Sequence, residues 1–162
     1  MKKILITLLL FIVSSSSYSQ DEVEIPKGIN KIILKTELNE RDNVKLLLRI
    51  LKDNDFEISK LDTTIFQIQT SKKNMKRKDL SNITYTLNFN LYDKFISVTG
   101  KSYNNLSISL YGSGVGVTNN GDGYEILNKG IRGSQDKECF KEMNELCLKI
   151  VSQDKIEYSI KK

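Results

Sequence analysis

The side chains that most often perform catalysis are scarce in this chain. Its 162 residues include no histidine and two cysteines. Histidine is the commonest general base near neutral pH and the commonest transition-metal ligand. Its absence excludes Ser-His-Asp and Cys-His catalysis within the chain, and it also excludes histidine-ligated zinc. We therefore expect a protein that is not an enzyme, with no catalytic residue, no metal site and no cofactor.

The two cysteines are spaced so that they cannot bond to each other on one helix. Cys139 and Cys147 lie in a segment whose apolar residues recur at helical spacing. At ~1.5 Å per residue their Cα atoms are about 12 Å apart, beyond the ~7 Å that a disulfide spans. We predict two buried free thiols, with a bridge to another chain as the alternative.

Carboxylates and glycines form clusters that resemble known sites only superficially. Glu138, Glu142 and Glu145 recur at helical spacing, which predicts a solvated helix face. The run 112–116 has neither the G-x-G-x-x-G spacing nor the Gly-Lys-Ser ending of nucleotide-binding loops. Residues 119–125 hold too few carboxylates for a twelve-residue calcium loop. These clusters predict neither a bound nucleotide nor a bound ion.

A basic segment is the most distinct local candidate for an interaction site. Its five cations are Lys72, Lys73, Lys76, Arg77 and Lys78. One interpretation is a solvated hairpin loop whose charge discourages pairing at a sheet edge. The other is contact with an anionic envelope surface, such as lipid headgroups or acidic glycans.

The first nineteen residues have the pattern of a secretory signal peptide. Lys2 and Lys3 precede an apolar run over residues 4–13, and Ser17 and Ser19 stand before the expected cut. The apolar run is too short to span a bilayer, which needs ~20 residues, so we expect no transmembrane segment in the mature chain. We predict export to the periplasm or the extracellular space. Removing residues 1–19 lowers the net charge from +5 to +3, so nucleic acid is not an expected partner.

The rest of the chain predicts one α+β domain over residues 31–152. A flexible leader over 20–30 precedes it, and residues 153–162 form a last strand or a tail. Val44, Leu47, Leu48 and Leu51 fall at i, i+3, i+4 and i+7, which predicts an amphipathic helix after an N-cap at Asn39. The cysteine-bearing segment predicts a second helix, over about 135–152.

Residues 82–91 contain the clearest strand pattern. Ile83, Tyr85, Leu87, Phe89 and Leu91 alternate there with Asn82, Thr84, Thr86, Asn88 and Asn90. This alternation predicts an antiparallel sheet with one buried face and one exposed polar face. We expect about five strands with both helices packed on one face, and the polar row is a candidate contact surface.

The predicted order of strand, helix, four strands and helix resembles small secreted bacterial domains of unknown function. It is similar to the helix-grip repeats of the outer-membrane assembly lipoprotein family and to the TATA-binding-protein-like fold. That resemblance concerns topology alone and implies a platform for protein contacts. We therefore predict a non-catalytic exported domain that contacts another envelope protein or an anionic envelope surface. The alternative is a small-ligand carrier, in which the glycine-rich segment 112–133 closes a cavity between sheet and helices.

Overall fold

The computed structural model describes residues 25–80, 82–104, 107–108, 117–118 and 123–160. The predicted signal peptide, residues 20–24 of the predicted leader and residues 112–116 and 119–122 of the glycine-rich segment lie outside the described residues. Among the described helices, none is both long enough and apolar enough to cross a membrane.

Ten strands and two α-helices are present in the described residues. In chain order they are β1 (Lys31–Lys35), α1 (Glu40–Asp53), β2 (Ile58–Asp62), β3 (Gln67–Thr70), β4 (Lys73–Asn74), β5 (Ile83–Tyr92), β6 (Phe95–Asn104), β7 (Ser107–Ile108), β8 (Val117–Thr118), β9 (Tyr124–Glu125), α2 (Gln135–Ile150) and β10 (Ile156–Ser159). Short 3-10 turns occupy Lys78–Leu80 and Gln153–Lys155.

The main sheet is antiparallel and has eight strands rather than about five. Its order is β10-β1-β6-β5-β3-β2, with β4 also paired to β5 and β9 also paired to β6, while β7 and β8 form a separate pair. The predicted α+β class and the two helices are confirmed. The strand count was too low partly because β4 and β9 have only two residues each, too few to show an alternating pattern.

Helix α1 begins after Asn39, as its sequence predicts, and ends at Asp53. The Asn39 side chain accepts a hydrogen bond from the Asp42 N–H at 3.0 Å, which satisfies a free donor of the first turn. The chain leaves the helix at Asn54, whose side-chain amide donates to the Ile50 carbonyl at 2.8 Å. These caps fix the length of the helix and bring Asn54 and Asp55 next to β4.

Both helices pack on one face of the sheet and enclose the core. Leu47 and Leu51 of α1 and Met143 of α2 are fully buried, as is Phe89 of β5. Burying each such side chain stabilises the fold by about 1.5–3 kcal/mol. The alternation predicted for β5 is confirmed on this face, which we call the core face.

The opposite face, which we call the outer face, is less exposed than its sequence predicts. Thr84 and Thr86 are only 7% and 5% exposed, and Asn82, Asn88 and Asn90 are half-buried. The prediction of a fully exposed row was therefore wrong for both threonines. Tyr103 and Lys101 pair with them across the sheet, and these longer side chains flank the short threonine side chains.

Packing extends beyond the predicted domain at both ends. The Asn128 side-chain amide donates to the carbonyls of Ile25 and Pro26, both at 2.8 Å, and Ile29 is only 5% exposed. Near the other end β10 pairs with β1 at four positions, so residues 156–159 form a strand. Residues 25–30 and 156–159 therefore belong to the folded unit.

Candidate functional site

The basic segment lies against both helices, and its Lys73 contacts the end of α1. The Lys73 ammonium donates to the carbonyls of Asn54 and Asp55, the latter at 3.2 Å, and lies 4.0 Å from the centre of the Phe56 ring. A cation is favourable there because the last carbonyls of a helix carry partial negative charge. Burial lowers the pKa of Lys73 below its usual value.

Lys76 and Arg77 contact the acidic residues of α2. The Lys76 N–H donates to Glu142 Oε1 at 2.8 Å, and Lys76 Nζ is 3.9 Å from Glu145 Oε2. Arg77 Nη1 is 3.4 Å from Glu138 Oε1. The Glu138 side chain is only 16% exposed and Glu142 is half-buried, so the prediction of a fully solvated acidic face was wrong for these two residues.

The other two cations of the segment lie elsewhere. Lys72 is exposed, and its ammonium lies 4.1 Å from the centre of the Tyr103 ring on the outer face. Lys78 begins the short 3-10 turn that leads towards β5. The structure therefore brings Lys73, Lys76 and Arg77 onto the helices and places Lys72 on the other side of the sheet.

Tyr85 and Glu142 form a polar contact that the sequence analysis missed. Tyr85 is 1% exposed, and its hydroxyl donates to Glu142 Oε2 at 3.0 Å. Burial, followed by the nearby charge of Glu142, raises the pKa of Tyr85 well above its usual value. One carboxylate thus binds both a core tyrosine and the backbone of the basic segment. Because a buried tyrosine hydroxyl usually finds a partner, the core position of Tyr85 was the signal that could have revealed this contact.

Both cysteines are free and buried, which confirms their prediction. Cys139 Sγ lies 3.4 Å from Met75 Sδ of the basic segment. Burial, together with the charges of Glu142 and of other α2 acids, raises the pKa of Cys139 from 9.0 to about 12. Burial alone raises the pKa of Cys147. Both thiols are therefore poor nucleophiles in the folded protein at neutral pH.

These pKa values predict a loss of stability in alkaline solution. Folding favours the neutral thiol of Cys139, so its contribution is fully present below pH 9.0 and is lost as the pH rises towards about 12. We expect the free energy of unfolding, measured by urea titration at several pH values in this window, to fall more steeply in the wild type than in Cys139→Ala. Equal slopes for the two proteins would contradict a raised pKa for Cys139.

The outer face presents rows of uncharged polar side chains across three strands. Gln67, Asn90 and Ser97 are paired in register, and Gln69, Asn88 and Thr99 form the next row. The Gln67 amide donates to Asn90 Oδ1 at 3.1 Å. Asn90 belongs to the predicted polar row. Asn82, another residue of that row, donates to Asn104 Oδ1 at 3.1 Å.

An aromatic pair ends the outer face at the β5–β6 turn. Tyr92 and Phe95 lie opposite each other in register, and their rings stack with centres 4.4 Å apart and planes 17° from parallel. Tyr92 is 45% exposed. The outer face can therefore offer amide and hydroxyl groups for hydrogen bonding, next to an accessible aromatic ring.

A groove of about 510 Å³ lies at the end of α1 and the start of β2. It is lined by Leu48, Lys52, Asp55, Phe56, Glu57 and Ile58. The carrier hypothesis requires the glycine-rich segment as a lid, and none of its described residues, 117–118 and 123–133, lines this groove.

The comparisons with known proteins do not assign this chain to a family. Within the described residues, no group of three or more histidine, cysteine, aspartate or glutamate side chains is placed to hold a metal ion. No protein-family model matches the chain, and no curated protein matches it. The resemblance to helix-grip and TATA-binding-protein-like domains therefore stays a prediction based on topology.

Proposed function

We propose that this chain is an exported, non-catalytic domain that binds another component of the bacterial envelope through the outer face of its sheet. The observation that carries the proposal is the pair of uncharged rows on β3, β5 and β6. Both helices pack on the core face, so neither helix covers these rows, in which Ser97 is buried and the other five side chains are partly exposed. Export rests on the signal-peptide pattern of residues 1–19.

The chemistry of the outer face supports binding rather than catalysis. Amide and hydroxyl groups both donate and accept hydrogen bonds, and the Tyr92–Phe95 pair adds apolar contact area. The side chains of Gln69, Asn88 and Thr99 carry no ionisable group that could transfer a proton at neutral pH. This composition suits a partner that is held by many weak contacts.

Contact through the basic segment is less favoured than contact through the outer face. Lys73, Lys76 and Arg77 already bind carbonyls and carboxylates of the same chain. An anionic surface would have to replace those partners before it gained the attraction of the cations. On the outer face the Gln67–Asn90 contact is a hydrogen bond between neutral groups, and the row of Gln69, Asn88 and Thr99 has no charged group whose pairing would have to be broken.

Site-specific photo-crosslinking in envelope fractions tests the proposed face. A photoreactive residue placed at Thr99 reports on the outer face, and one placed at the exposed Leu148 of α2 reports on the helical side. We expect one dominant adduct from position 99 and none of the same mass from position 148. An adduct from position 148 alone would place the contact on the helical side and would contradict the proposal.

A charge substitution then tests whether that adduct depends on the outer face. We expect Asn88→Arg to reduce the adduct from position 99 at least ~10-fold, because an unpaired charge is costly to bury and 1.4 kcal/mol corresponds to a factor of ten. Leu148→Arg introduces the same charge on the helical side and is the matched control. An unchanged adduct in folded Asn88→Arg would contradict the proposal.

A further inference from the structure

Residues 71–80, which we call the strap, cross from the end of β3 to the start of β5 over the side of α2. Lys73 and Asn74 pair with β5, the Met75 N–H adds one bond to the Ile83 carbonyl at 3.1 Å, and the Ser71 N–H donates to the Glu57 carbonyl at 2.8 Å. Among the described side chains of the strap, Met75 belongs to the buried core, and Leu80 packs against its edge. The strap therefore has few backbone and apolar anchors for its length.

Charged side chains supply much of the remaining attachment. The Lys76 ammonium contacts Glu145 and Arg77 contacts Glu138, both on α2, while the Lys76 backbone N–H donates to Glu142. The Lys73 ammonium contacts the end of α1 instead. Both side chains of the Lys76–Glu145 pair are exposed, at 63% and 45%, so water and salt screen that pair fully, whereas the Arg77–Glu138 pair is screened mainly from the side of Arg77, which is 43% exposed. Exposed ion pairs hold a segment weakly and are easily exchanged for water.

The strap covers a thiol that can report on its position. Met75 Sδ lies 3.4 Å from Cys139 Sγ, and Cys139 is fully buried. Cys147 is also fully buried and lies on the same helix, about 12 Å further along at ~1.5 Å per residue. One thiol therefore lies directly under the strap, and the second lies away from that contact in the same core.

We propose that the strap, which includes β4, is a latch that opens as a local unit when its ion pairs with α2 break, while the other seven strands of the main sheet and both helices stay folded. Opening uncovers Cys139 and frees Lys76 and Arg77 from the acidic residues of α2. The closed form withholds these two cations from an anionic surface, and the open form presents them. The latch does not involve the outer face, so it goes beyond the function proposed above.

Thiol labelling of the intact mature chain measures this opening directly. At neutral pH, in native buffer, a thiol-reactive reagent followed by peptide mapping gives separate rates for Cys139 and Cys147. We expect Cys139 to react at least ~10-fold faster than Cys147, because local opening needs less free energy than global unfolding. Raising the salt concentration from about 50 to 500 mM should speed the Cys139 reaction about 2- to 5-fold and leave Cys147 unchanged.

Substitutions in the strap distinguish local opening of the strap from destabilisation of the whole fold. We expect the double variant Lys76→Gln/Arg77→Gln to raise the Cys139 rate about 5-fold, to leave the Cys147 rate unchanged and to lose most of the salt dependence. Lys45→Gln is the matched control, since it breaks the exposed Lys45–Asp42 pair of α1.

Equal rates at the two cysteines, or equal changes in both, would overturn the latch, because both thiols would then be reached only by global unfolding. A salt-independent Cys139 rate in the wild type would also overturn it. The wild-type rates therefore test the latch even if the double variant is too unstable to purify.

Discussion

Ending the chain after Ser152 should destabilise the protein by about 3–5 kcal/mol, the largest effect on stability that we expect. The deletion removes β10, which pairs with β1 at four positions. Ile156 is only 8% exposed, and burying such a side chain is worth about 1.5–3 kcal/mol. The Tyr158 hydroxyl also donates to Asn144 Oδ1 of α2 at 2.9 Å, so β10 joins the sheet to that helix.

This loss is large compared with the total stability of a typical domain, which is about 5–15 kcal/mol. We expect a lower midpoint in urea unfolding followed by far-UV circular dichroism. The matched control ends the chain after Ser159, which keeps β10 and removes the 60% exposed Ile160 with the two residues behind it. If both truncated chains unfold at the wild-type midpoint, β10 contributes nothing and the paired C-terminal strand is wrong.

The parts of the fold that could be predicted are those with a long internal pattern. Helix α1 has four apolar residues at helical spacing, and β5 alternates over ten residues, so each reveals its own periodicity. The end of the chain offers only Ile156, Tyr158 and Ile160, a pattern that fits a strand or a tail equally well. What decides between them is pairing with β1, a contact between opposite ends of the sequence that no local pattern contains.

The predicted exposure of the candidate site residues was wrong for a different reason. Periodicity shows which residues share a face of a helix or strand, but it does not show which segment packs against that face. Glu138, Glu142 and Glu145 were correctly placed on one helix and yet were expected in solvent. In the structure the basic segment lies opposite them, and two of the three are partly buried. The complementary charges were visible in the sequence, but their approach depends on the path of residues 71–80 over α2.

The outer face shows the same limit for small side chains. Alternation correctly placed Thr84 and Thr86 on the outer face, but it could not give their exposure. That exposure depends on the size of the neighbours across the sheet, Tyr103 and Lys101. Prediction of a usable contact surface therefore requires the register of the strands as well as their pattern.

Gly100→Val should destabilise the protein by about 3 kcal/mol, because side-chain atoms at this position overpack the core. Gly100 lies on the core face of β6, where an added Cβ would be 2.7 Å from Ile126 Cδ1 and 3.0 Å from the Thr86 carbonyl oxygen. The Ile126 N–H also donates to the Gly100 carbonyl at 3.0 Å. The missing side chain thus allows the segment between β9 and α2 to lie directly on the strand. We expect a lower midpoint in urea unfolding.

A rescue experiment separates this steric effect from a loss of strand propensity. Gly100→Ala should cost about 1–2 kcal/mol, and Ile126→Val about 0.5–1.5 kcal/mol. Because Ile126→Val removes the Cδ1 atom that lies 2.7 Å from the added Cβ, the double variant should be more stable than the sum of the two changes by at least ~0.5 kcal/mol. Gly28→Ala is the control. An added Cβ at position 28 meets no atom within 4 Å, so this substitution is costly only because of the positive φ of 85°. Ile126→Val should therefore not restore stability to Gly28→Ala. Strict additivity of Gly100→Ala and Ile126→Val would show that the backbone, rather than Ile126, limits what fits at position 100.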